Sequence, residues 1–83
     1  MREMRKLHGE NTYIGGSWIL EDTNYILVTG YGRRIERQYY GQRVRVECRG
    51  TGGNGVNTEL ITITDLKNGA VLETMKFEDK IQN

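Results

Sequence analysis

The residues of this sequence best suited to chemistry lie in one stretch, YGRRIERQYYGQRVRVECRG, residues 31–50. Residues 31–49 contain six arginines and two glutamates, a local charge of +4, whereas the whole chain has a net charge of +1. Arginine makes planar, bidentate contacts with phosphate or carboxylate and stacks on bases, whereas lysine would serve solubility equally well. Because all the lysines fall outside this stretch, the pattern favours recognition of an anionic partner.

Tyrosines interleave with these arginines, which suggests a ligand-binding surface. A tyrosine beside an arginine on a β-sheet offers a stacking platform within a positive field, as in sheets and barrels that hold single-stranded nucleic acid. The predicted ligand-binding residues are Arg33, Arg34, Arg37, Tyr39, Tyr40, Arg43, Arg45 and Arg49. In the alternative interpretation, the two tyrosines flank a turn at Gly41 and pack at the core edge, while the arginines cover apolar surface and pair with glutamates. The glutamates considered are Glu21, Glu36 and Glu47.

The clearest strand is QRVRVECR, residues 42–49, in which apolar and charged side chains alternate. Alternation with a period of two places the two sets on opposite faces of a strand. We expect Arg43, Arg45 and Arg49 to project together from the solvent face. The opposite face contains Val44, Val46 and Cys48, so the thiol should be buried and inert.

Catalytic and metal-binding chemistry has little support in this composition. His8 is the only histidine and Cys48 the only cysteine, which excludes an internal disulfide and a zinc site built from these two residue types. The neighbouring acids of Glu21–Asp22 and Glu78–Asp79 lack the spacing of a calcium loop. The run GTGGNG lacks the Lys-Ser/Thr of a phosphate-binding P-loop. We therefore predict a protein that is not an enzyme and uses no cofactor or metal.

The chain has eleven glycines and no proline, and the glycines separate short runs rich in β-branched and aromatic residues. This pattern predicts a small all-β protein. The predicted strands are roughly 12–20, 25–31, 42–49, 59–65 and 70–77. Residues 1–11 are read as an N-terminal arm or short helical turn, and residues 12–83 as one β domain in which Trp18 anchors the core. The glycine-rich segment 50–58 is predicted to be a flexible loop, and DLKNG, residues 65–69, a hairpin turn.

Five short antiparallel strands would leave long open edges as a flat sheet, so we expect a small barrel or sandwich. Barrels of the oligonucleotide-binding or SH3-like kind are the nearest architectures, by analogy at the level of fold class alone. The second architecture considered is a flatter sheet whose edge pairs with another copy.

Three classes of non-enzymatic function fit these observations. The first is a protein that binds nucleic acid or a phosphate-bearing nucleotide, although its pI of 7.9 lies below the value of about 9 common in nucleic-acid-binding domains. The second is an interaction module or inhibitor that binds an acidic protein surface. The third is a subunit of a homo-oligomer, since so short a chain buries a small core.

The expected compartment is the cytoplasm. A single cysteine is unlike the disulfide frameworks of small secreted domains. The N-terminal sequence MREMRKLHGENTY is too polar for a signal peptide, and no apolar run approaches the roughly 18 residues of a membrane span. We therefore expect no membrane partner.

Overall fold

The computed structural model describes residues 5–7, 11–53 and 55–80, and these residues form strands and turns with no helix. The strands in chain order are β1 (Arg5–Leu7), β2 (Asn11–Tyr13), β3 (Trp18–Thr23), β4 (Tyr25–Gly30), β5 (Arg33–Gln38), β6 (Val44–Gly53), β7 (Val56–Asp65) and β8 (Val71–Lys80). The prediction of an all-β chain is confirmed. Of the predicted N-terminal arm or short helical turn, the helical alternative is wrong at residues 5–7 and at Asn11, which belong to β1 and β2, and residues 1–4 and 8–10 lie outside the described part.

The strands form two open sheets. The larger sheet has the order β1-β3-β6-β7-β8, and the smaller sheet has the order β2-β4-β5. Six strands pair antiparallel, while β1 and β2 are three-residue strands that pair parallel to β3 and β4. Neither sheet closes on itself, so of the predicted barrel or sandwich the barrel is wrong, and the likeness to oligonucleotide-binding or SH3-like folds stays unconfirmed. The predicted number of five strands is also wrong, because the described residues form eight.

One apolar core lies between the inner faces of the two sheets. It contains Ile14, Trp18, Leu20, Ile26, Val28, Ile35, Val44, Val46, Cys48, Ile61, Ile63 and Phe77. Both sheets contribute because alternate residues of each strand point inward. The predicted burial of Trp18 and of Cys48 is confirmed, at 4% and 0% exposure.

The glycine-rich segment after Arg49 is largely strand rather than loop. Strands β6 and β7 pair without interruption from Val44 opposite Asp65 to Gly53 opposite Val56. Most of segment 50–58 therefore belongs to a long hairpin, and the prediction of a loop there is wrong, while its mobility stays a prediction. The ladder to β7 supplies the main-chain hydrogen bonds of this strand, although glycine in a strand interior is itself destabilising.

Strand β5 was not predicted from the sequence. Its sequence RRIERQ contains one apolar residue, Ile35, so it shows no repeated alternation. The tight turn before it places Tyr31 at φ 53° and Gly32 at φ 69°. Positive φ at both central residues is typical of the two-residue hairpin turn that matches strand twist. This turn fixes β5 antiparallel to β4, with Gly30 opposite Arg33.

The hairpin between β7 and β8 follows the predicted mechanism. The Asp65 carboxylate accepts a hydrogen bond from the backbone N–H of Lys67 at 2.8 Å. Gly69 has φ 74°, a conformation that glycine adopts without strain. The turn predicted over DLKNG is therefore confirmed.

Candidate functional site

The predicted ligand-binding residues do not form one surface. Arg33, Arg34 and Arg37 lie on β5 in the smaller sheet, whereas Arg45 and Arg49 lie on β6 in the larger sheet. Tyr39, Tyr40 and Arg43 lie in the connection between these strands. The structure therefore divides the set into two groups with different surroundings.

Two arginines of β5 point towards β8. Arg33 and Arg37 flank Ile35 on the inner side of β5, because residues two apart share a face. The guanidinium of Arg33 lies 5.3 Å from the centroid of the Phe77 ring. Arg37 donates two hydrogen bonds of 2.9 Å, from Nε and Nη2, to the two carboxylate oxygens of Glu73. These contacts join the edges of the two sheets.

The Arg37–Glu73 contact changes the titration of both groups. Hydrogen bonding from Arg37 lowers the pKa of Glu73, and the same bond raises the pKa of Arg37. A bidentate guanidinium–carboxylate pair is the strongest form of side-chain ion pair, because two parallel hydrogen bonds reinforce the charge attraction. Arg37 is therefore a structural contact between the layers rather than an open anion site.

The outer side of β5 is also internally paired. Arg34 Nη1 donates to Glu36 Oε1 at 2.9 Å. The hydroxyl of Tyr25 donates to the other oxygen of Glu36, and this bond, followed by Arg34, lowers the pKa of Glu36. Of the two predicted tyrosines, Tyr39 packs against the core, where burial raises its pKa. Tyr40 is 85% exposed.

The arginines near β6 alternate with its buried residues, as predicted. Arg43 and Arg49 are exposed and Arg45 is half-buried, while Val44, Val46 and Cys48 are buried. Arg49 donates to Glu47 at 2.8 Å, and Arg45 lies 3.9 Å from oxygens of both Glu47 and Glu21. Arg45 Nε is buried without a hydrogen-bond acceptor among the described residues. The common solvent face is therefore confirmed, but carboxylates share it.

Arg43 holds a bulge in the neighbouring strand. Its Nε donates to Asp22 Oδ1 at 2.9 Å, and its Nη2 donates to the backbone carbonyl of Asp22. Asp22 has φ 57°, which is uncommon outside glycine, and lies where the register between β3 and β6 shifts. Asp22 and Glu73 thus offset part of the charge of the arginine-rich stretch, in addition to the pairing with Glu36 and Glu47 that the alternative interpretation names.

A cleft of about 390 Å³ opens beside this bulge. Its lining residues are Asp22, Gly41, Gln42, Arg43, Asp65, Leu66 and Lys67. Asp65 accepts from Gln42 Nε2 at 2.9 Å and from the backbone of Lys67, and Asp22 is bound by Arg43. The carboxylates of the cleft therefore hold its loops together.

A second polar cluster is buried at the opposite end of β6. Glu59 is 5% exposed, accepts from the Tyr31 hydroxyl at 3.3 Å and has Oε1 3.7 Å from Cys48 Sγ. A Cβ at Gly50 would lie 2.6 Å from Glu59 Oε1, so this glycine makes room for the carboxylate. Sequence reasoning missed Glu59, although it alternates with Ile61 and Ile63 on β7 and that period signals an inward position.

This cluster does not resemble an activated nucleophile. Burial, as the main cause, raises the pKa of the Cys48 thiol to about 11, and the negative charge of Glu59 acts in the same direction. The nucleophilic thiolate is therefore scarce at neutral pH. Within the described residues, no three His, Cys, Asp or Glu side chains are placed to hold a metal ion. His8 lies outside the described part.

The remaining surface feature is the free edge of β8. In the described sheet, β8 is the last strand, and it pairs with β7 alone. Its inner side has Met75 and Phe77 against the core, and its outer side exposes Thr74, Lys76 and Glu78. Along an antiparallel strand, the backbone N–H and C=O groups of successive residues point alternately to its two sides. Every second residue of β8 therefore directs its N–H and C=O away from β7.

Comparisons with protein-family models, with curated proteins and with solved structures give no match for this chain. Among the residues that the structure describes, there is no helix long and apolar enough to cross a membrane.

Proposed function

We propose that this protein is a non-enzymatic interaction module whose binding element is the free edge of β8. The observation that supports this proposal is a strand of ten residues, Val71–Lys80, which among the described strands is paired along one side only. Such an edge presents a row of main-chain donors and acceptors that another strand can pair with. The partner is thus an extended protein segment that lengthens the larger sheet.

Strand β8 lacks a proline and a central bulge, two of the usual protections of a sheet edge, while five of its ten residues are charged. Proteins block edges with proline, bulges, very short strands or dense charge. The chain has no proline, and the register shift between Ile63 and Thr64 affects only the beginning of β8. From Glu73 to Lys80 the pairing with β7 is regular. The side chains of Val71 and Leu72 are exposed beside this edge and add apolar surface.

A library of displayed random decapeptides, selected on the immobilised chain, tests this proposal. Thr74→Pro and Met75→Pro are the diagnostic variants, because one of two neighbouring residues directs its N–H outward and the other directs it towards β7. Proline at the outward position blocks only the edge, whereas proline at the other position breaks the ladder and destabilises the fold. Selected peptides should bind the parent and lose binding to the folded proline variant.

Met75→Ala is the control for loss of the methionine side chain, which packs against the core. Circular dichroism and the emission of Trp18 identify the proline variant that keeps the fold. The proposal is wrong if the folded proline variant retains every peptide that the parent binds.

A second candidate function is binding of nucleic acid or a phosphate-bearing nucleotide by the exposed arginines. It is favoured by the exposure of Arg34 and Arg49, whose side chains are 63% and 65% accessible despite their glutamate partners. Surface ion pairs contribute about 0–1 kcal/mol, so a phosphate can displace the glutamate. Because the same glutamates reduce the positive field, this function stands second.

Anisotropy of a labelled single-stranded oligonucleotide, measured at several salt concentrations, tests the second candidate. Each phosphate contact contributes a slope of about −0.7 in the logarithm of affinity against that of salt. Replacing Arg34 and Arg49 by glutamine should reduce both the affinity and the slope, with Arg33→Gln as a control on the inner side of β5. An unchanged slope in the double variant would remove this candidate.

A further inference from the structure

The outer side of β8 has two opposite charges separated by one residue. Lys76 and Glu78 lie on either side of Phe77, and their side chains are 62% and 57% exposed. The Nζ of Lys76 lies 3.5 Å from Glu78 Oε2. An exposed ion pair of this length is weak, so either side chain can exchange its partner at little cost.

This spacing makes β8 complementary to itself. When two identical strands pair antiparallel about a two-fold axis, the residues on either side of the axis lie opposite each other. With the axis at Phe77, Lys76 of each copy lies opposite Glu78 of the other, and two attractive pairs form. With the axis at Lys76, two lysines oppose each other. With the axis at Met75, Lys76 lies opposite Thr74 and gains no charge partner.

We infer that the strand added to β8 is β8 of a second copy of this chain, antiparallel and centred on Phe77. The inference rests on the proposed function of the free β8 edge and names its partner. The two larger sheets join into one continuous sheet, and both cores lie on the same side because Phe77 is opposite Phe77. Arg33, which lies over Phe77, covers this joint on its inner side.

The expected dimer is weak and sensitive to salt. Pairing over residues 74–80 forms a narrow contact, smaller than the roughly 1,200–2,000 Å² of stable interfaces. Its specificity comes from the two exposed charge pairs, which salt screens over about 8–10 Å at ordinary ionic strength. Dimerisation should therefore require high protein concentration and should weaken as salt is added.

Sedimentation equilibrium of charge variants tests the register. In Lys76→Glu, two glutamates oppose two glutamates, and in Glu78→Lys, two lysines oppose two lysines. Each single variant should dimerise roughly 10- to 100-fold more weakly than the parent, because two attractive pairs become repulsive. The double variant, K76E with E78K, exchanges the two charges within the strand and should recover the affinity of the parent.

An equimolar mixture of the two single variants gives a stricter test. In this mixture, positions 76 and 78 are both glutamate in one chain and both lysine in the other. A heterodimer should therefore form under conditions in which each variant alone is monomeric. Lys67→Glu is the matched control, because it changes the net charge equally on an exposed turn. Its dimerisation should equal that of the parent. Circular dichroism checks that every variant is folded.

The outcomes separate this inference from the proposed function. A parent that stays monomeric at every concentration, or a mixture without heterodimer, overturns the second copy as partner. The proposed function still stands in that case if the folded proline variant loses the selected peptides. If that variant also binds every peptide, the edge of β8 is not a binding element.

Discussion

Strands β5 and β8 each form one edge of a sheet, and they differ in where their charged residues find partners. On β5, Arg33 and Arg37 reach across the core edge to β8, and Arg34 pairs with Glu36 on the same strand. On β8, the exposed Lys76 and Glu78 pair with each other along the strand. Strand β5 is the shorter and more densely charged edge, and β8 is the longer one.

The difference shows that local charge density in the sequence does not reveal how the charges are paired in the fold. The arginine-rich stretch has an excess of positive charge in the sequence because two of its acidic partners, Asp22 and Glu73, lie outside it. Folding brings these carboxylates to the arginines. Strand β8 is longer than β5, and among the described strands its outward main-chain groups have no neighbouring strand. We expect the denser charge on β5, four residues in six against five in ten, to disfavour pairing at that edge.

The largest expected effect concerns the inner residues of the two edges. Phe77→Ala should lower the free energy of unfolding by about 3–5 kcal/mol, and Ile35→Ala by about 2–5 kcal/mol, because each leaves a cavity in the shared core. Leu72→Ala on the exposed side of β8 is the control and should cost less than about 1 kcal/mol. Urea unfolding measures all three. Equal costs for Phe77 and Leu72 would show that the inner side of β8 is not packed as described.

The Arg37–Glu73 contact between the edges should show coupling in a double-mutant cycle. Alanine replacements of both residues, singly and together, should give a coupling free energy of about 1 kcal/mol. The Arg34–Glu36 pair within β5 provides the comparison and should give a smaller value, because it is more exposed. A larger coupling within β5 than between the edges would contradict the assignment of Arg37 as an interlayer contact.

The same contact predicts how stability changes with pH. Arg37 lowers the pKa of Glu73 in the folded protein, so the contribution of the charged carboxylate is complete above the unfolded pKa of about 4.3. That contribution is lost as pH falls through the folded pKa. Glu73→Gln should therefore destabilise the protein near neutral pH and approach the parent in acid. A difference that does not change with pH would mean that charge has no part in this contact.

Features of the fold that depend on residues close together in the chain were predicted from the sequence, whereas features that depend on residues far apart in the chain were not. Alternation in β6 and the turn at Asp65 are local patterns, and both predicted the structure correctly. Strand β5 has one apolar residue, Ile35, so its place depends on a turn with Tyr31 at positive φ, which composition does not predict. The strand at 50–53 depends on the ladder to β7, which overrides the loop signal of glycine.

The candidate site was the least predictable part. The ligand-binding role of the arginines stays a prediction, and their pairing depends in part on acids up to 36 residues away along the chain. The free edge of β8 depends on strand order, which no local pattern contains. The Lys-x-Glu spacing that makes β8 self-complementary can be read from the sequence once that order is known.

The smallest expected effect concerns Arg33 over the Phe77 ring. Arg33→Gln removes a cation–π contact and should cost about 0.5–1 kcal/mol in urea unfolding. Arg34→Gln, on the other side of β5, is the matched control and should cost less. If the two variants lose the same stability, the contact between Arg33 and Phe77 contributes nothing.

The central claim is that β8, and not the arginine-rich β5, is the edge open to pairing. Amide hydrogen exchange, measured residue by residue at low and high protein concentration, tests it directly. At low concentration, alternate amides between residues 74 and 80 should exchange fast, and at high concentration they should become protected, while the amides of β5 remain unchanged. Protection that appears on β5, or β8 amides that exchange equally at both concentrations, would contradict the account.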